Sequence, residues 1–194
     1  GLLDQNQNEV LTSLHKACAP NLRRVTSVSM GQISLLVLAT KDLLPHITSV
    51  ETDSEATGLG GVGINKGAAA VSFSVCNRPI CFLNAHLAAH AEKLQERNAQ
   101  VVEIQRNIKL GKKLASGALD LSNRFEHLVW LGDLNYRVDM PRPEAMEHIA
   151  TRNFKALLVH DQLRTAIQTR EAFGGFREGP IAFAPTFKHV PGKG

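Results

Sequence analysis

The sequence predicts a mixed-sheet α/β domain, and three observations carry that prediction. Segments of period-two hydrophobicity occur among segments of helical periodicity, and the two kinds intermix without strict βαβ alternation. The chain has 194 residues, 43% of them hydrophobic and 21% charged, which is enough for one domain with a sizeable core. No internal repeat, low-complexity tract or linker breaks the chain.

The elements follow in order. Residues 7–18 fit an amphipathic helix with Val10, Leu11, Leu14 and Cys18 on one side. Strands are expected near 23–30 and 32–39, the second reading as a buried strand in QISLLVLA. Pro45 interrupts, and a short strand near 46–52 follows, then a Gly-rich loop over 53–66. Strands near 67–76 and 79–87 are joined at Asn77-Arg78-Pro79 as a hairpin. Residues 91–110 form a long helix with Leu94, Val101, Ile104 and Ile108 on one face, and Gly111 suits its end. A loop over 115–124 leads to a strand within EHLVWLGDLNYR, residues 126–137. Pro143 suits the first turn of a helix at 142–151. Helical turns run from about 153 to 170, a short strand lies near 180–184, and Pro185 begins the tail.

Bulk properties narrow the function. The net charge of +4 and pI near 9.1 mildly favour an anionic partner. Only 5% of the chain is aromatic, with one Trp and one Tyr, which is thin for a base-stacking surface. Cys18, Cys76 and Cys81 are odd in number and lack metal-ligand spacing, so they read as buried free thiols in a reducing compartment. The apolar run Leu35–Ala39 is far short of a bilayer span, and no signal peptide is visible. Gly1 and a loop-like end at Gly194 give both termini the look of cut ends.

Two strands end in polar pairs. Val129, Leu131, Asp133 and Asn135 fall on one face because side chains alternate. The segment ICFLNAHL repeats the design with Ile80, Phe82, Asn84 and His86. Two such strands point to one shared pocket at a sheet rim. There Asp133 could orient and deprotonate a water, Asn135 could donate an amide N–H to a phosphoryl oxygen, and His86 could hydrogen-bond a phosphate or protonate a leaving oxygen. The plainer readings are an Asp-Asn turn bonded to local backbone and a structural histidine.

Other motifs are weaker. HLAAH lacks the zinc-protease Glu, which Leu87 replaces, and no third ligand accompanies His86 and His90. Gly58 to Gly63 match GxGxxG, but a strand-like AAAVSFSV follows where a dinucleotide site needs a helix. Lys66 is no P-loop lysine, yet beside a flexible loop it could clamp a phosphate. Arg97 and Asn98 interrupt the apolar stripe of the long helix, either to reach the sheet rim or with Arg97 snorkelling to solvent. Arg137 could neutralise a phosphate or pair with an acid, and Lys188 adds a cation near the end.

Together these segments closely resemble the inositol polyphosphate 5-phosphatases. WLGDLNYR looks like that family's signature, NAHLAAH with Glu96-Arg97-Asn98 resembles its second block, GINKGAAAVSF its NKGA block, and FAPTFKH its PTYK block with Phe187 where Tyr is usual. The blocks stand in the family's order and span essentially the whole chain. The resemblance implies an endonuclease/exonuclease/phosphatase fold of two mixed sheets packed face to face and flanked by helices, here incomplete at both ends. It implies magnesium-dependent removal of the 5-phosphate from phosphoinositide lipids or soluble inositol polyphosphates. By matching motif, Asp133 orients or activates water, Asn135 and His86 contact the scissile phosphate, and Asn84 supports that site. Lys66 grips the neighbouring 4-phosphate with help from Lys188, while Arg97 and Arg137 carry over as substrate-side cations. The family's magnesium-binding Glu has no match in this chain, nor do its later blocks with an Asp-His pair, so residues 1–194 read as part of a longer catalytic domain. A cytoplasmic enzyme in transient contact with the cytosolic face of membranes is implied, with no nucleic-acid partner. Rival readings are another hydrolase of the same fold, such as a nuclease, and a non-catalytic phosphoinositide-binding module dependent on Lys66 and Lys188.

Overall fold

The computed structural model describes residues 2–18, 21–57, 65–111 and 120–187, with side chains of the first helix described from Glu9 to Ala17. Helix α1 spans Leu2–Cys18 and strands β1 (Leu22–Met30) and β2 (Ile33–Thr40) follow. Strands β3 (Ile47–Ala56), β4 (Gly67–Val75) and β5 (Arg78–His86) come next, then helix α2 (Leu94–Asn107) and strand β6 (His127–Asp133). Helices α3 (Arg142–Ala150), α4 (Phe154–Val159) and α5 (Gln162–Thr169) close the described chain. Contacts divide it into two compact units, one of residues 1–88 and 99–135, the other of residues 89–98 and 136–194.

In the first unit β1 and β2 form an antiparallel pair, and β3-β4-β5-β6 form a four-stranded sheet. The larger sheet is mixed, because β3-β4 and β4-β5 pair antiparallel while β5-β6 pair parallel. Ile33 and Leu35 of β2 pack on Ala69, Val71 and Phe73 of β4, with Val28, Met30, Val37 and Phe82 around them. This buried apolar layer holds the two sheets face to face. The predicted class is therefore borne out, with the refinement that only the larger sheet is mixed.

Strand β4 lies inside the sheet and is buried on both faces, so Ala68, Ala69, Ala70 and Val71 are all fully covered. Small side chains there let both layers come close. On the face away from β1-β2, the edge strand β3 presents Glu51, Asp53 and Glu55 at alternate positions. Glu51 accepts from the Gly111 amide at 3.1 Å, Asp53 from the Lys109 amide at 2.6 Å, and Glu55 from Asn107 Nδ2 at 2.7 Å. Three acids thus hold the chain as it leaves α2, where Val101, Ile104 and Ile108 are fully buried.

Several expectations need correction. Leu11 is buried, but Val10 and Leu14 are exposed. The hairpin turns at Cys76-Asn77, whose φ values of 50° and 65° fit the positive-φ pair of a tight hairpin turn; the resulting tip leaves the Cys76 thiol exposed. Cys81 is buried as expected, and burial pushes its thiol up to about 12. β3 continues to Ala56 through residues assigned to a loop, because the antiparallel ladder with β4 extends to Ala56↔Gly67. The helix stops at Asn107, and Gly111 instead makes a later turn beneath the Phe125 ring. No strand forms over 180–184 among the described residues, since that segment finds no neighbouring strand to pair with. The GxGxxG loop at Gly58–Gly63, residues 115–119 of the loop over 115–124, and Lys188 lie outside the described residues.

The core assignment has a measurable consequence. Ile104→Ala should cost about 2–5 kcal/mol, whereas Val159→Ala on the surface should change stability by less than about 0.5 kcal/mol. Urea unfolding of both variants would show this as a lowered midpoint at unchanged slope for the first alone.

Candidate active site at the rim of the mixed sheet

The parallel register of β5 and β6 decides what meets at the rim. Asn84 pairs with Leu131, Ala85 with Gly132, and His86 with Asp133. Paired residues share a face, so the two polar strand ends predicted from the sequence are brought together. His86 Nε2 lies 3.6 Å from Asp133 Oδ2, beyond a direct hydrogen bond but within ion-pair distance. On its other side His86 pairs with Gly67, the residue after Lys66.

Residue Leu87 clamps the segment beyond the strands. Its backbone N–H donates to the Asp133 carbonyl at 3.1 Å, and its carbonyl accepts from Asn135 Nδ2 at 3.0 Å. Asn135 adopts φ of 56°, a left-handed conformation that Asn tolerates better than most residues. Asn84 is held inside the sandwich, its amide nitrogen donating to the Ser34 carbonyl of β2 at 2.9 Å. Gly132 makes this arrangement possible. Its φ is 126°, and a Cβ there would sit 2.0 Å from the Ala85 carbonyl and 2.6 Å from Asn84 Oδ1.

One expectation about β6 is reversed. Val129 and Leu131, assigned to a buried face, are 42% and 41% exposed, while Leu128 and Trp130 are the half-buried positions. β6 is the last strand of its sheet, and LVWL is apolar on both faces, so periodicity alone could not choose between them. Asp133 stands at the exposed end of this strand, its side chain 67% exposed.

The second unit holds Arg97 and Arg137. Arg97 is fully buried, so it does not snorkel. It donates to the carbonyls of His90 and Ala91 and to Gln162 Oε1, and its guanidinium lies 5.3 Å from the Tyr136 ring centroid. Tyr136 donates to Asn98 Oδ1 at 2.7 Å, and Asn98 donates to Glu171 Oε2 at 3.0 Å. Burial holds the Tyr136 phenol well above its ordinary range. Arg137 places its guanidinium 5.9 Å from the Phe187 ring centroid. Sequence reasoning passed over Gln162, although it shares a buried helical stripe with Ala166 at the i, i+4 spacing. A polar residue within a buried stripe is the same signal that singled out Arg97.

Among the described residues no three His, Cys, Asp or Glu side chains group to hold a metal ion. HLAAH is not a helix, since His86 ends β5 and His90 has φ of 76° ahead of a short 3-10 turn. Asp133 offers a carboxylate, but the described residues do not make up a metal centre.

These features place the chain among known proteins. It belongs to the Endonuclease/Exonuclease/phosphatase family 2, whose profile matches residues 4–194. Within that group its resemblance is to the inositol polyphosphate 5-phosphatases. It is 37% identical over 170 residues to phosphatidylinositol 3,4,5-trisphosphate 5-phosphatase 2B of Danio rerio, a match covering 88% of this chain and 14% of that protein. The crystal structure of the inositol polyphosphate 5-phosphatase domain of SPsynaptojanin, in complex with inositol (1,4)-bisphosphate and calcium ion, superposes with a TM-score of 0.82 at 29% identity. That match covers 96% of this chain and 53% of the other. Cimex nitrophorin in its ferrous NO complex shares the fold alone, with a TM-score of 0.74 at 20% identity over 98% of this chain and 63% of that one. The chain thus spans about one-seventh of the Danio rerio relative and about half of the synaptojanin chain.

The electrostatics of His86 can be measured. Burial lowers its pKa from 6.5, Lys66 lowers it further, and Asp133 opposes them. A histidine with a depressed folded-state pKa binds protons less readily folded than unfolded. Its contribution is therefore neutral above 6.5 and becomes destabilising as pH falls through 6.5 toward the folded midpoint. Titration by NMR should give a midpoint below 6.5, moved up in Lys66→Met and further down in Asp133→Asn; the opposite order would refute this account of the rim.

Proposed function

We propose that this chain carries the phosphate-handling rim of an inositol polyphosphate 5-phosphatase, a phosphoric monoester hydrolase that removes the 5-phosphate of phosphoinositides or soluble inositol polyphosphates. The supporting observation is the rim itself: His86 faces Asp133 at 3.6 Å, Lys66 acts electrostatically on His86, and Asn135 is clamped two residues beyond Asp133.

In this reading Asp133 accepts a hydrogen bond from a water and orients it toward phosphorus. The water oxygen forms the new P–O bond, its proton passes to the carboxylate, and the bond to the inositol oxygen breaks with its electron pair going to that oxygen, which takes a proton from solvent water as it leaves. Neutral His86 hydrogen-bonds a phosphoryl oxygen. Asn135 adds an amide contact to the same group. Lys66 offers its ammonium to the neighbouring 4-phosphate, with Lys188 assisting. Asn84 holds β5 against β2 and keeps His86 in register. Arg97 stabilises its own unit through the carbonyls it binds, and Arg137 carries over as a substrate-side cation through the family resemblance alone. Phe187 lacks the hydroxyl of the usual Tyr, so the 4-phosphate loses one hydrogen-bonding group.

Magnesium dependence belongs to the proposal through family resemblance. A magnesium ion commonly keeps several waters and takes one or two carboxylates with substrate phosphate oxygens. Asp133 suits such a site only as one ligand among several, and the steps above do not pass through the ion. The reading also includes a cytoplasmic enzyme that meets the cytosolic face of membranes through its lipid substrate. Among the described residues no helix is long and apolar enough to cross a membrane.

The experiment is phosphate release from a 4,5-bisphosphorylated phosphoinositide, with magnesium and with chelator, by this chain and by Asp133→Asn. The expected result is magnesium-dependent release of the 5-phosphate, reduced about a hundredfold or more in the variant. No release from a chain shown to be folded would overturn catalysis by this chain; retained lipid binding lost in Lys66→Met would leave a binding module.

A further inference from the structure

Gln100 of α2 is a polar residue in a buried stripe. It is 6% exposed, beside fully buried Val101 and Ile104. Its Oε1 accepts from the backbone N–H of Ala88 at 2.8 Å. Leu87 and Ala88 are themselves buried. They lie just past the end of β5, outside regular secondary structure.

The Ala88 N–H and the Leu87 carbonyl belong to one peptide group, and its atoms are held in a plane. Gln100 binds that plane by its N–H. Asn135 Nδ2 binds the same plane by its carbonyl, at 3.0 Å. The Leu87 N–H, one bond earlier in the chain, donates to the Asp133 carbonyl at 3.1 Å. A rotation of the 87–88 peptide would therefore break the bond to α2 and the bond to Asn135 together. Leu87, Ala88, Gln100, Asp133 and Asn135 all belong to the first compact unit, so this path from helix to rim stays within one body.

We propose that Gln100 is a positioning residue for Asn135: by holding the Ala88 N–H it aims the Leu87 carbonyl, and that carbonyl sets which end of the Asn135 carboxamide meets a phosphoryl oxygen. The inference rests on the proposed phosphatase reading and deepens it with a residue that reading did not use. A half-turn of the Asn135 carboxamide would set Oδ1 against the Leu87 oxygen, acceptor against acceptor. The Leu87 carbonyl thus selects the orientation with Nδ2 toward it. A carboxamide nitrogen carries two N–H groups, so the atom that binds Leu87 is also the one able to donate to a phosphoryl oxygen. Without Gln100 the 87–88 peptide loses its anchor on α2, and the Asn135 carboxamide loses its fixed reference.

The test uses the whole chain with Gln100→Met, Gln100→Asn, Gln100→Glu, Asn135→Ala and the Gln100→Met/Asn135→Ala double variant. Ile104→Ala serves as a core control on the same helix. Met supplies no matching acceptor, Asn draws the carboxamide back by one methylene, and Glu keeps an accepting oxygen at the same reach. The first readout needs no activity. It follows the NMR resonances of the Asn135 side-chain NH2, identified by their loss in Asn135→Ala, and the exchange of the Ala88 amide. In the parent the Asn135 pair should stand away from free-carboxamide positions and the Ala88 amide should be protected. In Gln100→Met and Gln100→Asn the pair should move to free-carboxamide positions, and Ala88 exchange should rise at least about tenfold while β4 amides keep their protection. Gln100→Glu and Ile104→Ala should leave the pair where the parent has it. The kinetic arm uses the same bisphosphorylated lipid. Gln100→Met should lower kcat about tenfold, the order of one lost hydrogen bond, with KM changed less than about threefold. Gln100→Glu should recover most of that loss. In the Asn135→Ala background Gln100→Met should add less than about twofold. An unmoved Asn135 pair in a folded Gln100→Met or Gln100→Asn chain, the same movement in Ile104→Ala, or independent kinetic effects in the double variant would each overturn the inference. So would free-carboxamide positions or an unprotected Ala88 amide in the parent. If the parent releases no phosphate, the proposed function fails, and the resonances still decide whether Gln100 orients Asn135. Should Gln100→Met fail to fold, Gln100→Asn carries the same readouts.

Discussion

Everything at the rim depends on the parallel pairing of β5 with β6 and on its register. A slip of one residue would turn His86 and Asp133 to opposite faces, because side chains alternate along a strand. The register is fixed at several points that are independent of any chemistry. Gly132 admits the Ala85 carbonyl to a distance no other residue would allow. Asn84 bonds across to Ser34 of the other sheet. Leu87 then carries the pairing past the strand ends by bonding Asp133 with its N–H and Asn135 with its carbonyl. Gly132, Asn84 and Leu87 thus determine where His86, Asp133 and Asn135 stand.

Charge follows from this geometry. His86 sits between a cation contributed by the residue before Gly67 and an anion at the end of β6. Burial and Lys66 both disfavour its charged form, and Asp133 does not offset them. A neutral imidazole beside a lysine suits a site that receives a polyanionic group. In the proposed phosphatase reading the lysine attracts the phosphates, and the neutral imidazole can donate or accept one hydrogen bond without first losing a proton.

Much of this was legible in the residues, and what was missed has physical causes. The abrupt passage from apolar to polar at Asp133 and His86 marks strand ends whatever the surrounding fold, so the pair was found. The burial of Val129 and Leu131 was misjudged because four consecutive apolar residues carry no phase, and the cover over an edge strand is set by other elements. At Cys76-Asn77 the asparagine announces a positive φ, but the cysteine beside it does not. The strand expected over 180–184 depended on a partner, and pairing is a tertiary property that alternation cannot reveal. Arg97 stood out because a charge within an apolar stripe is conspicuous. Gln162 makes the same kind of interruption and was overlooked because it is uncharged.

Carboxamides and the carboxylate serve different ends here, and burial decides which is used. Gln162 is buried and Asn84 half-buried, and each bonds to main-chain groups of another segment without placing a charge in low dielectric. A carboxylate at either position would face carbonyl oxygens while itself poorly hydrated, which is costly. Asp133 stands at the exposed end of an edge strand, where water can hydrate its charge and also reach the carboxylate as a reactant. The step from half-buried Asn84 and His86 to exposed Asp133 sets a held side chain apart from one open to water. Exchanging Asn84 and Asp133 would keep the composition and lose both functions, because each is set by strand position as much as by residue type.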